Sequence, residues 1–498
     1  MRKIKFLSCL LAILLTVPAL TACSDTEPAE TAGQAEQNQT ETAAAETEET
    51  ALTTSLPADL DFGGESVTIH ARGDDDSFLE VYTEELTGDV LNDAIYNRNA
   101  AVEEQLNVDI IGYRGGGWQT YYNGNSDVPK LKASITSGDN AYQCIAGWNS
   151  RIASLALEGY LQDLNNMPYL DLEKPWWNRS SLEGMRLVGR NYFITGDISF
   201  LTTIGGCYVL FLNNTVAEDH GISGIADTVL EGKWTMDAMA AVTEQVYDDL
   251  DGNGVMDTKD MYGFIIDYDN SGDSFYTSAD IHQITLDAKG YPTFAPDLER
   301  ITALWDKLSP YYYNGAAVGS MYQKDAGIQC DMFKNGQALM IQRELDNART
   351  YFRDMEDSYT ILPYPKLNEQ QAEYCTNAAT GVSIWCIPAD NIKPETACAV
   401  MEAMAFETFD KVTPAYYETC MQEKYARSEE TVEMLDIIKS GIVVTIEYIY
   451  GPYLGSAEKI IMRLSGDANL NIASWYAGNT ASIEGTVADT VSILENLQ

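Results

Sequence analysis

The 498 residues carry 75 acidic against 31 basic side chains, a net charge of −44, and such a field repels nucleic acid and anionic lipid surfaces. It also disfavours an anionic ligand unless a local basic pocket overrides it, and it leaves neutral ligands unaffected. A chain of this length exceeds a single hydrophobic core and calls for at least two lobes.

The N-terminus comes first in chain order. Arg2, Lys3 and Lys5 precede an apolar run from Phe6 to Leu20, too short for a bilayer span but proportioned as the apolar region of a signal peptide (1–22). Leu20, Thr21, Ala22 and Cys23 resemble a bacterial lipobox, so Cys23 is expected to receive a lipid. Residues 24–60 hold nine acids and no Lys or Arg; with no apolar pattern to offset the repulsion, 23–60 reads as a lipidated, disordered tether. The expected location is the outer face of the cell membrane, with the lipid as the only membrane contact.

The folded part opens with an alternating strand at Glu65–Ala71, a helix over Leu91–Leu106 and a strand at Val108–Ile111, the opening of a parallel α/β sheet. Next come a helix at Lys130–Thr136, a strand at Cys144–Gly147 and a helix at Arg151–Glu158. Tyr208–Leu212 is continuously apolar, as a strand buried on both faces must be. Helices follow at Trp234–Tyr247 and Asp297–Leu308, then strands at Ala338–Ile341, Tyr359–Leu362 and Val382–Ile387. Past Pro394 the pattern is mainly helical. The sum is two α/β lobes with a helical C-terminal region.

Between Asp249 and Asp260 lies the sharpest motif. Asp249, Asp251, Asn253, Asp257 and Asp260 occupy loop positions 1, 3, 5, 9 and 12, Gly254 is the turn glycine, and Val255 offers a backbone carbonyl. Carboxylates so crowded repel one another without a cation, which points to structural Ca²⁺. Asp260 stands where glutamate is usual. The shorter arm predicts modest affinity.

Nine cysteines are present. Cys9 and Cys23 aside, the odd set Cys144, Cys207, Cys330, Cys375, Cys386, Cys398 and Cys420 has no CxxC spacing and is neither a disulfide framework nor a zinc site. Most sit among apolar neighbours and read as small core residues. Catalysis finds little support: the three histidines, His70, His220 and His282, fall in no metal-ligand spacing, and no nucleophile-elbow or phosphate-loop pattern occurs.

Aromatic residues are plentiful, with 30 Tyr, 8 Trp and 13 Phe. Sugar rings stack on aromatic planes while their hydroxyls pair with planar polar groups. Residues just past strand ends face crevices in open α/β sheets. On that rule the candidate ligand site is Trp148 as a stacking platform with Asn149, Asp197, Arg343, Glu344 and Asp346 as hydroxyl partners.

Seven motifs carry a resemblance: Asn99–Val108, Gly159–Leu164, Leu210–Asn214, Gly232–Met236, Tyr262–Phe264, Phe333–Ala338 and Ile361–Pro365. In this order they resemble the solute-binding lipoproteins of ABC sugar importers, the group typified by maltodextrin-binding proteins. The resemblance implies a type II periplasmic-binding fold, with lobe 1 at 62–200 plus about 345–408, lobe 2 at about 201–344 plus 409–498, and a ligand cleft between. It further implies a monomeric carrier, not an enzyme, that hands a carbohydrate to ABC permease subunits. A surface glycan-binding or sensor protein and a secreted carbohydrate-active enzyme are the alternatives. Trp148 matches the family's aromatic after the third strand. Arg343 and Glu344 fall where many sugar binders have Gly-Pro-Trp, a departure that points to a more polar ligand or to stacking from elsewhere.

Overall fold

Alternating apolar positions make Glu65–Ala71 (β1) a strand whose Val67, Ile69 and Ala71 are wholly buried, and it nucleates the first of two sheets. The computed structural model describes residues 52–124, 126–267, 270–378, 381–421 and 429–497; the leader, Cys23 and most of the tether lie outside them. The remaining strands are Val108–Arg114 (β2), Cys144–Trp148 (β3), Tyr208–Asn213 (β4), Tyr247–Asp248 (β5), Met261–Ile266 (β6), Ile284–Leu286 (β7), Pro292–Phe294 (β8), Ser320–Tyr322 (β9), Ala338–Glu344 (β10), Tyr359–Leu362 (β11), Thr376–Asn377 (β12), Ser383–Cys386 (β13) and Ile442–Val443 (β14).

The first sheet runs β13-β3-β1-β2, with β1 parallel to both neighbours and β13 antiparallel, Ser383 opposite Trp148. The second runs β11-β4-β10-β6-β5, with β9 added beside β6. Its interior strand β4, flanked by β11 and β10, is buried at all six positions, the environment its unbroken apolar run requires. Each sheet is flanked by helices; Val90–Leu106 packs against β2 and against the Pro394–Glu407 helix.

Three expectations are corrected. Tyr359–Leu362 and the segment before it belong to the second lobe, not the first: β11 pairs with β4, Ile361 opposite Phe211, and Phe352 lies 4.9 Å from Phe211, edge to face. Ring packing of that kind adds about 0.5–1.5 kcal/mol beyond area burial, and it holds the chain in lobe 2 until β12. The C-terminal part is not confined to lobe 2 either. The Ile472–Asn496 helix buries Ile472 and Tyr476 in the lobe 2 core and Ile483, Val487 and Leu494 against Leu155 and Tyr192 of lobe 1. The helix predicted at Trp234–Tyr247 spans only Met236–Thr243, because Tyr247 pairs with Tyr262 in the second sheet.

Cys144, Cys207, Cys330, Cys386 and Cys398 are buried free thiols and Cys375 is half-buried, in keeping with core packing. Among the described residues no helix is long and apolar enough to cross a membrane.

Candidate functional site

The carboxyl ends of β1 and β3 lie side by side because those strands pair in parallel, and each releases a polar residue there. β3 ends on the half-buried Trp148. The Tyr121 ring meets it edge-on at 5.6 Å, and the guanidinium groups of Arg72 and Arg151 lie 4.8 Å and 5.3 Å from its centroid. Arg72, the first residue past β1, is itself buried; it pairs with Asp74 at 2.9 Å and donates to the Gly381 carbonyl. Asn149 opens the Asn149–Leu157 helix, buried, its backbone N–H donating to Val382 at 3.3 Å. An indole held by two cations and a tyrosine edge, at the mouth of a sheet, can offer both stacking surface and hydrogen-bond donors.

The other candidates are spent on partners within the protein. Asp197 is buried and accepts from Thr413 Oγ1 at 2.8 Å and Lys439 Nζ at 2.9 Å. Arg343 turns toward the Ala326–Lys334 helix, donating to the Ala326 carbonyl at 3.2 Å and to Gln329 Oε1. Glu344 accepts the Tyr208 hydroxyl at 2.9 Å. Asp346 is gripped by Arg349 through two bonds of 2.9 Å and by the Tyr416 hydroxyl at 3.1 Å; burial nonetheless lifts its carboxyl to about 6. Arg349 also reaches Asp76, beyond β1, at 3.2 Å, so this corner fastens one lobe to the other.

Strand-end reasoning could have found Arg72, which follows β1 as Trp148 ends β3. Two other groups had no local signal. Asp267, past β6, is buried and accepts from Gln342 Nε2 at 2.6 Å and from the Ser271 N–H at 2.7 Å. A small pocket lined by Thr277, Asp280, His282, Cys375, Thr445 and Tyr448 assembles from three distant stretches. Within it His282 and Asp280 pair at 3.1 Å, and that hydrogen bond holds the imidazole pKa up and the carboxyl pKa down.

The acidic loop is the turn of the β5–β6 hairpin. Carboxylate oxygens of Asp249, Asp251 and Asp260 lie within 4.8 Å of one another. Asp260 comes from inside, fully buried, accepting from the N–H groups of Leu250 at 3.2 Å and Asp257 at 3.0 Å. Asp249 collects the N–H groups of Gly252 and Gly254 at 2.7 and 2.8 Å, both glycines having the left-handed backbone such a turn needs. Lys259 pairs with Asp251 at 3.2 Å. Asn253 and Asp257 contact each other at 3.4 Å, and Val255 is exposed.

Among curated proteins none matches the chain. Solved structures do. A cyclic α-maltosyl-1,6-maltose binding protein from Arthrobacter globiformis is 16% identical over 86% of this chain and 100% of its own, with a TM-score of 0.55. A cyclo/maltodextrin-binding protein complexed with maltotetraose is 12% identical over 87% of this chain and 97% of its own, TM-score 0.53. The galacto-N-biose/lacto-N-biose I-binding protein of the ABC transporter from Bifidobacterium longum is 13% identical over 87% and 98%, TM-score 0.53. At these identities the likeness establishes the fold, the two-lobed α/β fold of solute-binding proteins. The sequence profile described as "Bacterial extracellular solute-binding protein" matches residues 118–408, more than half the chain, and the protein belongs to that family.

Proposed function

We propose that this protein captures a carbohydrate outside the cell and delivers it to an ABC-type importer without altering it. The observation that carries the reading is Trp148 at the carboxyl end of β3, ringed by Tyr121, Arg72 and Arg151, in a chain of a solute-binding family. The sugar-binding proteins that share its fold support the same ligand class. A carrier must release what it binds, so affinity should be roughly micromolar, about −8 kcal/mol. A thermal-shift screen against an oligosaccharide library tests this, because ligand at 100 times Kd adds about 2.7 kcal/mol to stability. A glycan panel recovered chemically unchanged separates carrier from enzyme; a processed glycan would refute the carrier reading. In our reading the mature chain is held to the membrane by a lipid on Cys23, which labelling with a fatty-acid analogue and a Cys23→Ala control would test.

Once the ligand is known, Trp148→Ala should weaken binding about tenfold or more, since a buried stacking contact contributes about 1–3 kcal/mol. Because the ring is only half-buried, the fold should survive. An unchanged Kd in titration would remove Trp148 from the site.

The convergence of Asp249, Asp251 and Asp260 supports a structural Ca²⁺ in the β5–β6 turn, with Asn253, Asp257 and the Val255 carbonyl completing an oxygen shell. Chelation is expected to lower the melting temperature, and Asp251→Ala to abolish the difference between calcium and chelator. Equal melting of the parent chain in both conditions would leave the loop as an acidic turn held by Lys259.

A further inference from the structure

Two guanidinium groups, those of Arg72 and Arg151, meet at the Trp148 ring where β1 and β3 end. Arg72 is 8% exposed. Its two terminal nitrogens are engaged by the Gly381 carbonyl and, at 2.9 Å, by Asp74. Its Nε–H is buried and has no hydrogen-bond partner among the described residues. A buried donor without an acceptor is unfavourable, so an incoming oxygen that accepts from it recovers that energy. The Arg72 guanidinium lies 4.8 Å from the Trp148 centroid, and the exposed Arg151 guanidinium lies 5.3 Å from the same ring.

Trp148 is also the residue that caps the nine-residue Asn149–Leu157 helix, and its indole makes no cap hydrogen bond. The first N–H groups of that helix are taken within the protein, Asn149 donating to the Val382 carbonyl and Ser150 to Asn149 Oδ1, so any anion there must be met by side chains. The nearby carboxylates are already committed. Asp74 accepts from Arg72 and, at 2.8 Å, from the Trp118 N–H. Asp127 accepts from the Gly116 N–H and stands 3.7 Å from His70.

We propose that this corner is an anion subsite, which receives the carboxylate or sulfate ester of an acidic sugar on Arg72 Nε and Arg151. The inference rests on the carbohydrate reading and narrows it from neutral to acidic glycans. It also gives the overall negative charge a part in selectivity: the mean field repels an acidic ligand, which is held only where two guanidiniums can donate to it.

The test is calorimetric titration of the mature protein with oligosaccharides in matched triplets, neutral, uronic-acid and 6-sulfated, at low and high salt. A charged member should bind at least tenfold more tightly than its neutral counterpart, with the advantage shrinking as salt rises. Which of the two charged members binds tells carboxylate from sulfate ester. Arg151→Gln, on an exposed side chain, should bring the charged ligand's affinity down to that of the neutral one; Arg72→Gln should do the same, and if circular dichroism shows that variant unfolded, Arg151→Gln decides. Neutral members binding as tightly as charged ones would overturn the subsite and leave the carbohydrate reading standing. No binding by any triplet would overturn the carbohydrate reading and the subsite with it.

Discussion

The melting temperature is expected to be highest near pH 5 and to fall steadily as pH rises through about 8. Four acids carry much of this, three of them buried and Asp346 half-buried. Burial lifts Glu80 to about 7, Glu402 to about 7, Glu458 to about 8 and Asp346 to about 6. Each is protonated more readily in the folded chain than in the unfolded one, so the native state binds the extra proton between the two values. The associated stability is fully present below the ordinary carboxylate range and is lost as pH passes the folded value. Lifting the Glu80 carboxyl from 4.5 to about 7 corresponds to about 3 kcal/mol. Glu80 has the geometry for it: fully buried, it accepts from the Thr202 N–H at 3.0 Å and from Thr202 Oγ1 at 3.1 Å, while Thr202 Oγ1 accepts the Ser383 N–H at 3.0 Å. Glu80→Gln keeps the shape and removes the titration, so its curve should be flatter and should lie above the parent's past pH 7. Melting temperatures that hold level or rise between pH 5 and pH 8 would contradict this. Exposed Asp61 and half-buried Asp93, held low by backbone N–H bonds, act only below about pH 4 and by small amounts.

Lys439→Ala should cost about 3 kcal/mol in urea unfolding. Asp197 is 3% exposed, and Lys439 supplies its only cationic partner among the described contacts, at 2.9 Å. Removing one member of a buried pair strands the other's charge, typically at about 3–5 kcal/mol; Lys439 is partly exposed, so the lower end applies. Replacing both, Asp197→Asn with Lys439→Met, should cost less than Lys439→Ala alone, because no charge is then left behind. A single substitution as harmless as the double one would mean that Thr413 alone satisfies Asp197.

Periodicity carried the strands well. β1, β4, β10 and β11 stand close to where alternation or unbroken apolar runs put them, since those patterns report burial directly. Pairing was less legible. Nothing local tells β13 to run antiparallel beside β3, or β11 to stay with β4. The site divides along the same line. Strand-end position is a local property, and it nominated Trp148 and Asn149, which stand at the carboxyl end of β3. It nominated Asp197, Arg343, Glu344 and Asp346 equally, yet their fates were fixed by Lys439, Gln329, Tyr208 and Arg349, partners that sequence spacing for the most part does not announce. The acidic loop was legible as a motif because its oxygen-bearing side chains come from twelve consecutive residues, three of whose carboxylates converge.

The stitching of both lobes by late segments bears on how such a chain matures. A polypeptide delivered N-terminus first presents β1, β2 and β3 long before β13 arrives to finish their sheet, and the Ile472–Asn496 helix that fills both cores comes last. Closing loops of that span is slow, and meanwhile unpaired strand edges stay open to wrong partners. The two cores therefore stay incomplete until the Ser383–Cys386 strand and the Ile472–Asn496 helix have been made, and neither half can close ahead of them.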